Sequence, residues 1–384
     1  MAKLIDYNTL LKGYNRNERK RTWQRLAPEA FTLIDGDTAA TVIAPTDVID
    51  AVVAGMTEKR GWIAHDEAAP PLTLTEWPED IVAYTGATGS LVNAWLYGEQ
   101  ANGRCDRDSG LMVSTVISDG QLTITDGHRL HSADVALPSD AKLLFDSGAF
   151  TLLIRAWAVS PRSASIELGV TGDTHYARIV NGPILVTLRR VWTEKGWVAQ
   201  PAAVMEDASK VFNADAKYAL AISGNPDELR HAIKANELGG DKSTGPTVAF
   251  IVSKAGAWFI GADQHGVRHL ERSPRTPVPA LVSVGADIAE HFDEVAMWVN
   301  SKYLIEAIDP AAKAVTITFA SSMEPLIVQH DGSVVTTALV MPMKPVDGVE
   351  RDRPSEVRAK EEAKREAEAA VAAAQAAREA AADF

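Results

Sequence analysis

One unit is written twice between residues 78 and 347, and this repeat restricts the chain more than any other feature. The first copy opens with an extended stretch, DIVAYTG (80–86), and continues into a helix at SLVNAWLYGEQ (90–100). A strand, LMVSTVIS (111–118), an Asp119-Gly120 turn and a second strand through LTIT follow. Asp-Gly between two apolar alternations is a strong hairpin signal. The second copy opens with KYALAISG (217–224). Its helix, PDELRHAIKAN, starts at Pro226 behind Asn225, with Glu228 completing a capping box. The strand TVAFIVS then begins at Thr247. In both copies that strand lies about 21 residues after the helix start, and the copies are offset by about 136 residues.

The later parts of the copies also correspond. Asp146 and Asn300 are N-cap candidates, each followed by Ser and an apolar helical period. That period is Phe150, Leu153, Ile154 and Trp157 in the first copy, and Tyr303, Leu304 and Ile308 in the second. Strand pairs follow each helix: SIELGV with YARIVNG, and AVTITFA with PLIVQH, before Asp331-Gly332 leads into SVVTTALVM. Val315, Ile317 and Phe319 give the period of two expected of a half-buried strand. Each copy therefore reads helix, strands, helix, strands: an α+β module whose sheet offers one face to helices.

Composition narrows the class. A hydrophobic fraction of 46% with 23% charged residues excludes a wholly disordered chain. A net charge of −13 makes the surface as a whole repel nucleic acid and anionic membranes, while leaving room for a local basic stripe. A single cysteine, Cys105, excludes an internal disulfide framework and a Cys-rich zinc site, and fits a reducing cytoplasm. No apolar run reaches membrane-spanning length, and the N-terminus has no apolar signal core.

Reactive constellations are weak. Residues 239–244, GGDKST, lack the glycine spacing of a phosphate loop and read as a surface loop. His128 and His131, with Asp126, offer only a poor metal set. Cys105 stands in a polar stretch without a nearby histidine. The expectation is a protein without catalytic residues, metal or cofactor, with a hydrolase built on the His128–His131 region as the remote competitor.

Two strings carry a family resemblance. Thr125-Asp126-Gly127-His128-Arg129-Leu130 follows the second strand of the first copy, and Val340-Met341-Pro342-Met343 ends the second. With VNSKYLIEAI (299–308), and in this order, they resemble the bacterial DNA polymerase III β-subunit, the replicative sliding clamp, over about residues 80–345. The resemblance implies duplicated clamp-type modules that form a ring, with helices on one face of antiparallel sheets. Residues 79–209 correspond to the middle module and 210–347 to the C-terminal one. Residues 1–78 are too short for a full third module, although ATVIAPTDVIDAVVAG (40–55) reads as strand, cap and helix and suits a reduced one. Residues 348–384, rich in Ala, Glu, Lys and Arg, form a helical or disordered tail.

The resemblance also implies a function without covalent chemistry. A closed ring around duplex DNA would tether a DNA polymerase for processive synthesis, and a clamp-loader ATPase would open it. Six modules per ring make two modules per chain a trimer and three a dimer; two clear copies favour the trimer. Partner peptides would enter a hydrophobic socket. Thr125, Gly127, His128 and Leu130 of the first string would line it, with Leu339, Val340, Met341, Pro342 and Met343 of the second. Candidates to face DNA phosphates are Arg104, Arg107, Arg155, Arg230, Lys234 and Lys302. The competing expectation is a clamp-derived interaction protein that keeps the socket and forms no ring. The basic cluster Arg16, Arg19, Lys20, Arg21 and Arg25 offers phosphate contact or a solvated helix face, and the lack of an accompanying aromatic stacking pattern favours the solvated face.

Overall fold

A computed structural model describes residues 21–35, 38–57, 62–66, 70–84, 86, 88–101, 114–159, 161–162, 164–191, 220–238, 245–253, 255–261, 275–284, 294–319, 325–332 and 335–343. Cys105, the loop 239–244, Arg16, Arg19, Lys20 and the tail 348–384 lie outside the described residues. The chain divides into two compact units, Met1–Glu206 with Gly332–Leu339, and Asp207–Asp331 with Val340–Phe384.

The first unit opens with an antiparallel meander, β1 (Arg21–Ala27), β2 (Ala30–Asp35) and β3 (Thr38–Ile43), followed by α1 (Thr46–Thr57). A short strand, β4 (Trp62–Ala64), returns parallel to β1. After β5 (Val82–Tyr84) come α2 (Thr88–Gly98), β6 (Ser114–Ser118), β7 (Gln121–Thr125), β8 (Arg129–Asp134) and β9 (Leu143–Asp146). Then follow α3 (Ser147–Val159), β10 (Ser165–Thr171), β11 (Thr174–Asn181) and β12 (Ile184–Val191). One sheet has the order β4-β1-β2-β3-β12-β11-β10-β5. In the other, β9, β6, β7 and β8 lie side by side, and β21 (Val335–Val340) returns late in the chain to pair with β8.

The second unit contains β13 (Leu220–Gly224), α4 (Pro226–Ala235), β14 (Thr247–Ser253), β15 (Gly256–Ile260), β16 (Arg275–Pro277) and β17 (Leu281–Val284). It continues with β18 (Glu294–Asn300), α5 (Ser301–Ala307), β19 (Ala314–Phe319) and β20 (Leu326–Asp331). Its strands run β17-β13-β19-β20 and β16-β15-β14-β18. The fold is α+β, and among the described ladders with a defined register pairing is antiparallel except between β4 and β1.

Local chemistry explains the joints. Asp119 and Gly120 both have positive φ, 52° and 73°, which a two-residue primed turn requires between β6 and β7. Asn225 caps α4 by accepting from the amides of Asp227 and Glu228, and Asn300 caps α5 by accepting from Tyr303. Helix α4 is amphipathic and buries Pro226, Leu229 and Ile233. Helix α3 is sunk far more deeply than its apolar period requires. Phe150, Leu153 and Ile154 are buried, and so are Ala149, Thr151, Leu152 and Ala156.

One sequence expectation is overturned here. Arg21 and Arg25 lie in the strand β1, not on a helix face. Trp23 between them points into the core, and the Arg25 guanidinium reaches Asp50 of α1 at 2.6 Å and the Pro28 carbonyl at 2.7 Å. Pairing of β1 with β2 and β4 and a specific ion pair therefore replace the solvated helix face.

Candidate partner-peptide site

The TDGHRL string forms the turn between β7 and β8. Thr125 pairs with Leu130, so Asp126, Gly127, His128 and Arg129 make the loop. The Asp126 carboxylate organises it. Its Oδ1 accepts from the amides of His128 (3.0 Å) and Arg129 (2.9 Å), and its Oδ2 pairs with Arg129 Nε at 3.1 Å. The Thr125 hydroxyl donates to the Arg129 carbonyl (2.7 Å) and accepts from the Gly127 amide (3.1 Å). Gly127 has φ of 81°, a conformation that costs glycine nothing. The outcome is a braced loop with a buried base, Thr125 and Leu130, and an exposed tip, Gly127 and His128. His131 is on the other side of the strand and fully buried. Its ring stacks on Tyr97 at 4.5 Å, with Nδ1 3.1 Å from the Tyr97 carbonyl. The metal trio considered from the sequence is thus dispersed, since Asp126 serves Arg129 and His131 faces the core. Among the described residues no group of three or more His, Cys, Asp and Glu is placed to hold a metal.

Strand β21 adjoins β8 in the first unit, so the strand leading into the second string shares a sheet with the TDGHRL turn. Within that string the roles separate. Leu339 and Val340 are buried, Met341 is 42% exposed, and Pro342 and Met343 are half-buried. Met343 is an anchor of the second unit. Its amide donates to the Trp298 carbonyl at 2.7 Å, and its side chain packs on Ala249, Ile251, Ile260, Ala296 and Trp298. Met341 is the most exposed residue of the string.

The DNA-facing candidates also separate. Arg104 and Arg107 lie outside the described residues. Arg155 on α3 is 4.0 Å from Glu99. Arg230 donates to the Ile308 carbonyl at 3.0 Å, which ties α4 to the end of α5. Lys234 and Lys302 are 70% and 62% exposed, with Glu237 at 2.8 Å and Glu306 at 3.9 Å as their neighbours. Burial tends to raise the pKa of Glu237, but hydrogen bonds from Lys234 and Ser301 prevail and hold the carboxyl below its ordinary value. The five described helices carry four basic residues and five acidic ones, so together they present no net positive charge.

Solved structures identify the fold that carries these residues. The DNA polymerase III subunit beta of Pseudomonas aeruginosa matches with a TM-score of 0.56 at 13% identity, over 90% of this chain and 98% of that one. The Bacillus subtilis sliding clamp matches with a TM-score of 0.54 at 11% identity, over 88% and 96%. The Thermotoga maritima beta subunit gives 0.53 at 12%, over 88% and 98%. The fold is that of the bacterial sliding clamps. Neither a protein-family model nor a curated protein sequence matches the chain. The matched share exceeds what everything after residue 79 could supply, so the clamp fold takes in part of the N-terminal segment as well. Among the described residues no helix is long and apolar enough to cross a membrane.

Proposed function

We propose that the protein is a DNA sliding clamp: a ring of identical copies that encircles duplex DNA in the cytoplasm, is opened by a clamp-loader ATPase and tethers a DNA polymerase. No covalent chemistry is needed. A topological link raises the effective concentration of a weakly bound partner, so each contact can stay exchangeable. Residues 79–209 and 210–347 act as the two full modules. Two modules per chain correspond to a trimer. A structural match spanning nearly the whole length of clamp chains favours counting residues 1–78 as a reduced third module, and hence a dimer.

The observation that carries the reading is the TDGHRL turn on a clamp fold, with Gly127 and His128 exposed on a braced loop and an exposed Met341 after β21. These residues, with Thr125, Leu130, Leu339, Val340, Pro342 and Met343, take part in binding partner peptides. Methionine suits such a role because its unbranched side chain adapts to several ligands. Met341→Ala is expected to weaken binding of a fluorescent clamp-binding polymerase peptide by about tenfold, the loss of a modest hot spot. The fold should be unaffected, because Met343 and not Met341 carries the packing. Unchanged affinity would remove the assignment.

A second reading is a clamp-derived interaction protein that binds such peptides without enclosing DNA. The absence of net positive charge on the described helices favours it. The two readings differ in assembly, which solution mass reports.

A further inference from the structure

The eight-stranded sheet of the first unit is assembled from two stretches of chain. β4, β1, β2 and β3 come from residues 21–64, and β12, β11, β10 and β5 from residues 82–191. They meet along a single ladder, β3 with β12, in which Thr38–Ile43 faces Leu185–Arg190. Between the two stretches the chain crosses the sheet as a segment without helix or strand, residues 70–78, that ends in a turn at Glu79-Asp80.

A row of polar residues lies beneath that segment. Gln24 is paired with Thr32, Thr32 with Thr41, Thr41 with Thr187, Thr187 with Arg178, and Arg178 with Glu167. Direct cross-strand partners share a face, so these six side chains form one line across six strands. The segment contacts the line in strand order. Leu72 N donates to Gln24 Oε1 at 2.7 Å, and Thr32 Oγ1 donates to the Thr73 carbonyl at 3.3 Å. Thr75 N donates to Thr41 Oγ1 at 2.7 Å. Trp77 meets the edge of Tyr176 with 6.2 Å between centroids and lies under the Arg178 guanidinium at 4.4 Å, while Arg178 is held by Glu167 at 2.6 Å. Asp80 accepts from the hydroxyl of Thr171 at 3.1 Å. The dimensions agree. Six strands span about 24 Å between the first and last, and eight residues of extended chain reach about 26 Å. Pro70, Pro71 and Pro78 keep the segment extended.

We propose that residues 70–80 are a strap that locks the β3–β12 joint, so that the eight-stranded sheet behaves as one rigid body. Thr75 binds on one side of the joint and Trp77 on the other, and Thr32, Thr41 and Thr187 are buried beneath. Parting β3 from β12 would strip both sides of buried hydrogen bonds without admitting water at the same moment.

The test is native-state hydrogen exchange on the full chain carrying Thr32→Val and Thr41→Val. Burial under the strap then leaves the Thr75 amide without its acceptor. The Thr75 amide and those of the β3–β12 ladder are expected to exchange about tenfold faster, with the β14–β18 ladder of the second unit unchanged as an internal reference. Release of Thr75 with the β3–β12 ladder still protected at its original level would overturn the lock. So would an equal loss in every ladder of the first unit. Should the double variant fail to fold, Trp77→Ala, at a half-buried position beyond the joint, is judged by the same pattern. Exchange in the single chain does not depend on assembly, so its result stands apart from whether a ring forms.

Discussion

His175 shows how far a single buried group can govern the acid response. Its Nδ1 accepts the Leu144 amide at 2.9 Å, which places the ring proton on Nε2 of a neutral imidazole. Burial lowers its pKa from 6.5 to about 4, and the nearby Arg190 pushes in the same direction. The unfolded chain therefore takes up a proton below about pH 6.5, while the folded chain does not until about pH 4. Stability contributed by this site is complete above pH 6.5 and falls as the pH drops toward 4, by ~3 kcal/mol at most. Denaturant unfolding of His175→Gln is expected to give a shallower loss over that window than the parent protein. Parallel curves would show that the site is uncoupled from stability. Asp126 shows the opposite limit of legibility at this scale. Its residue type suits a metal as well as a turn, and only the return of Arg129 to within 3.1 Å decides between them. The caps at Asn225 and Asn300 were readable because a cap acts within three residues of itself.

At the level of elements, what is local was legible and what is distant was not. Helix α2 runs over Thr88–Gly98 against the expected 90–100, and β14 runs over Thr247–Ser253, starting where the sequence places it. β1 escaped notice because a run of Arg and Lys resembles a helix face, and only pairing with β2 and β4 organises it. The polar line from Gln24 to Glu167 is invisible for the same reason, because its threonines become a row only when distant strands settle into register. Elements also sort the DNA candidates. Arg230→Ala removes the bond that joins α4 to the Ile308 carbonyl, so it should cost about 2 kcal/mol of stability and leave the salt dependence of DNA binding unchanged. Lys234→Ala with Lys302→Ala touches two exposed ammonium groups and should reduce the slope of log K against log salt by about 2. The reverse pattern would move the phosphate contacts from the lysines to Arg230.

For the whole molecule, the strings TDGHRL and VMPM pointed to a clamp where 11–13% identity leaves little else of the sequence in common. Long-range pairing carries what sequence similarity has lost. The extent of the match was not legible, because the strands of residues 21–64 join the rest of the sheet only where β3 pairs with residues 185–190. A net charge of −13 and the absence of net positive charge on the described helices mean that electrostatics alone does not single out the proposed ring. Self-association is thus the property on which a sliding clamp and a lone peptide-binding relative part most cleanly. The measurement is the mass of the full chain in solution by light scattering, across a range of concentrations. A sliding clamp gives a discrete multiple of the 41.2 kDa chain, twice it if residues 1–78 serve as a module and three times it if they do not. A clean monomer at every concentration would contradict the ring.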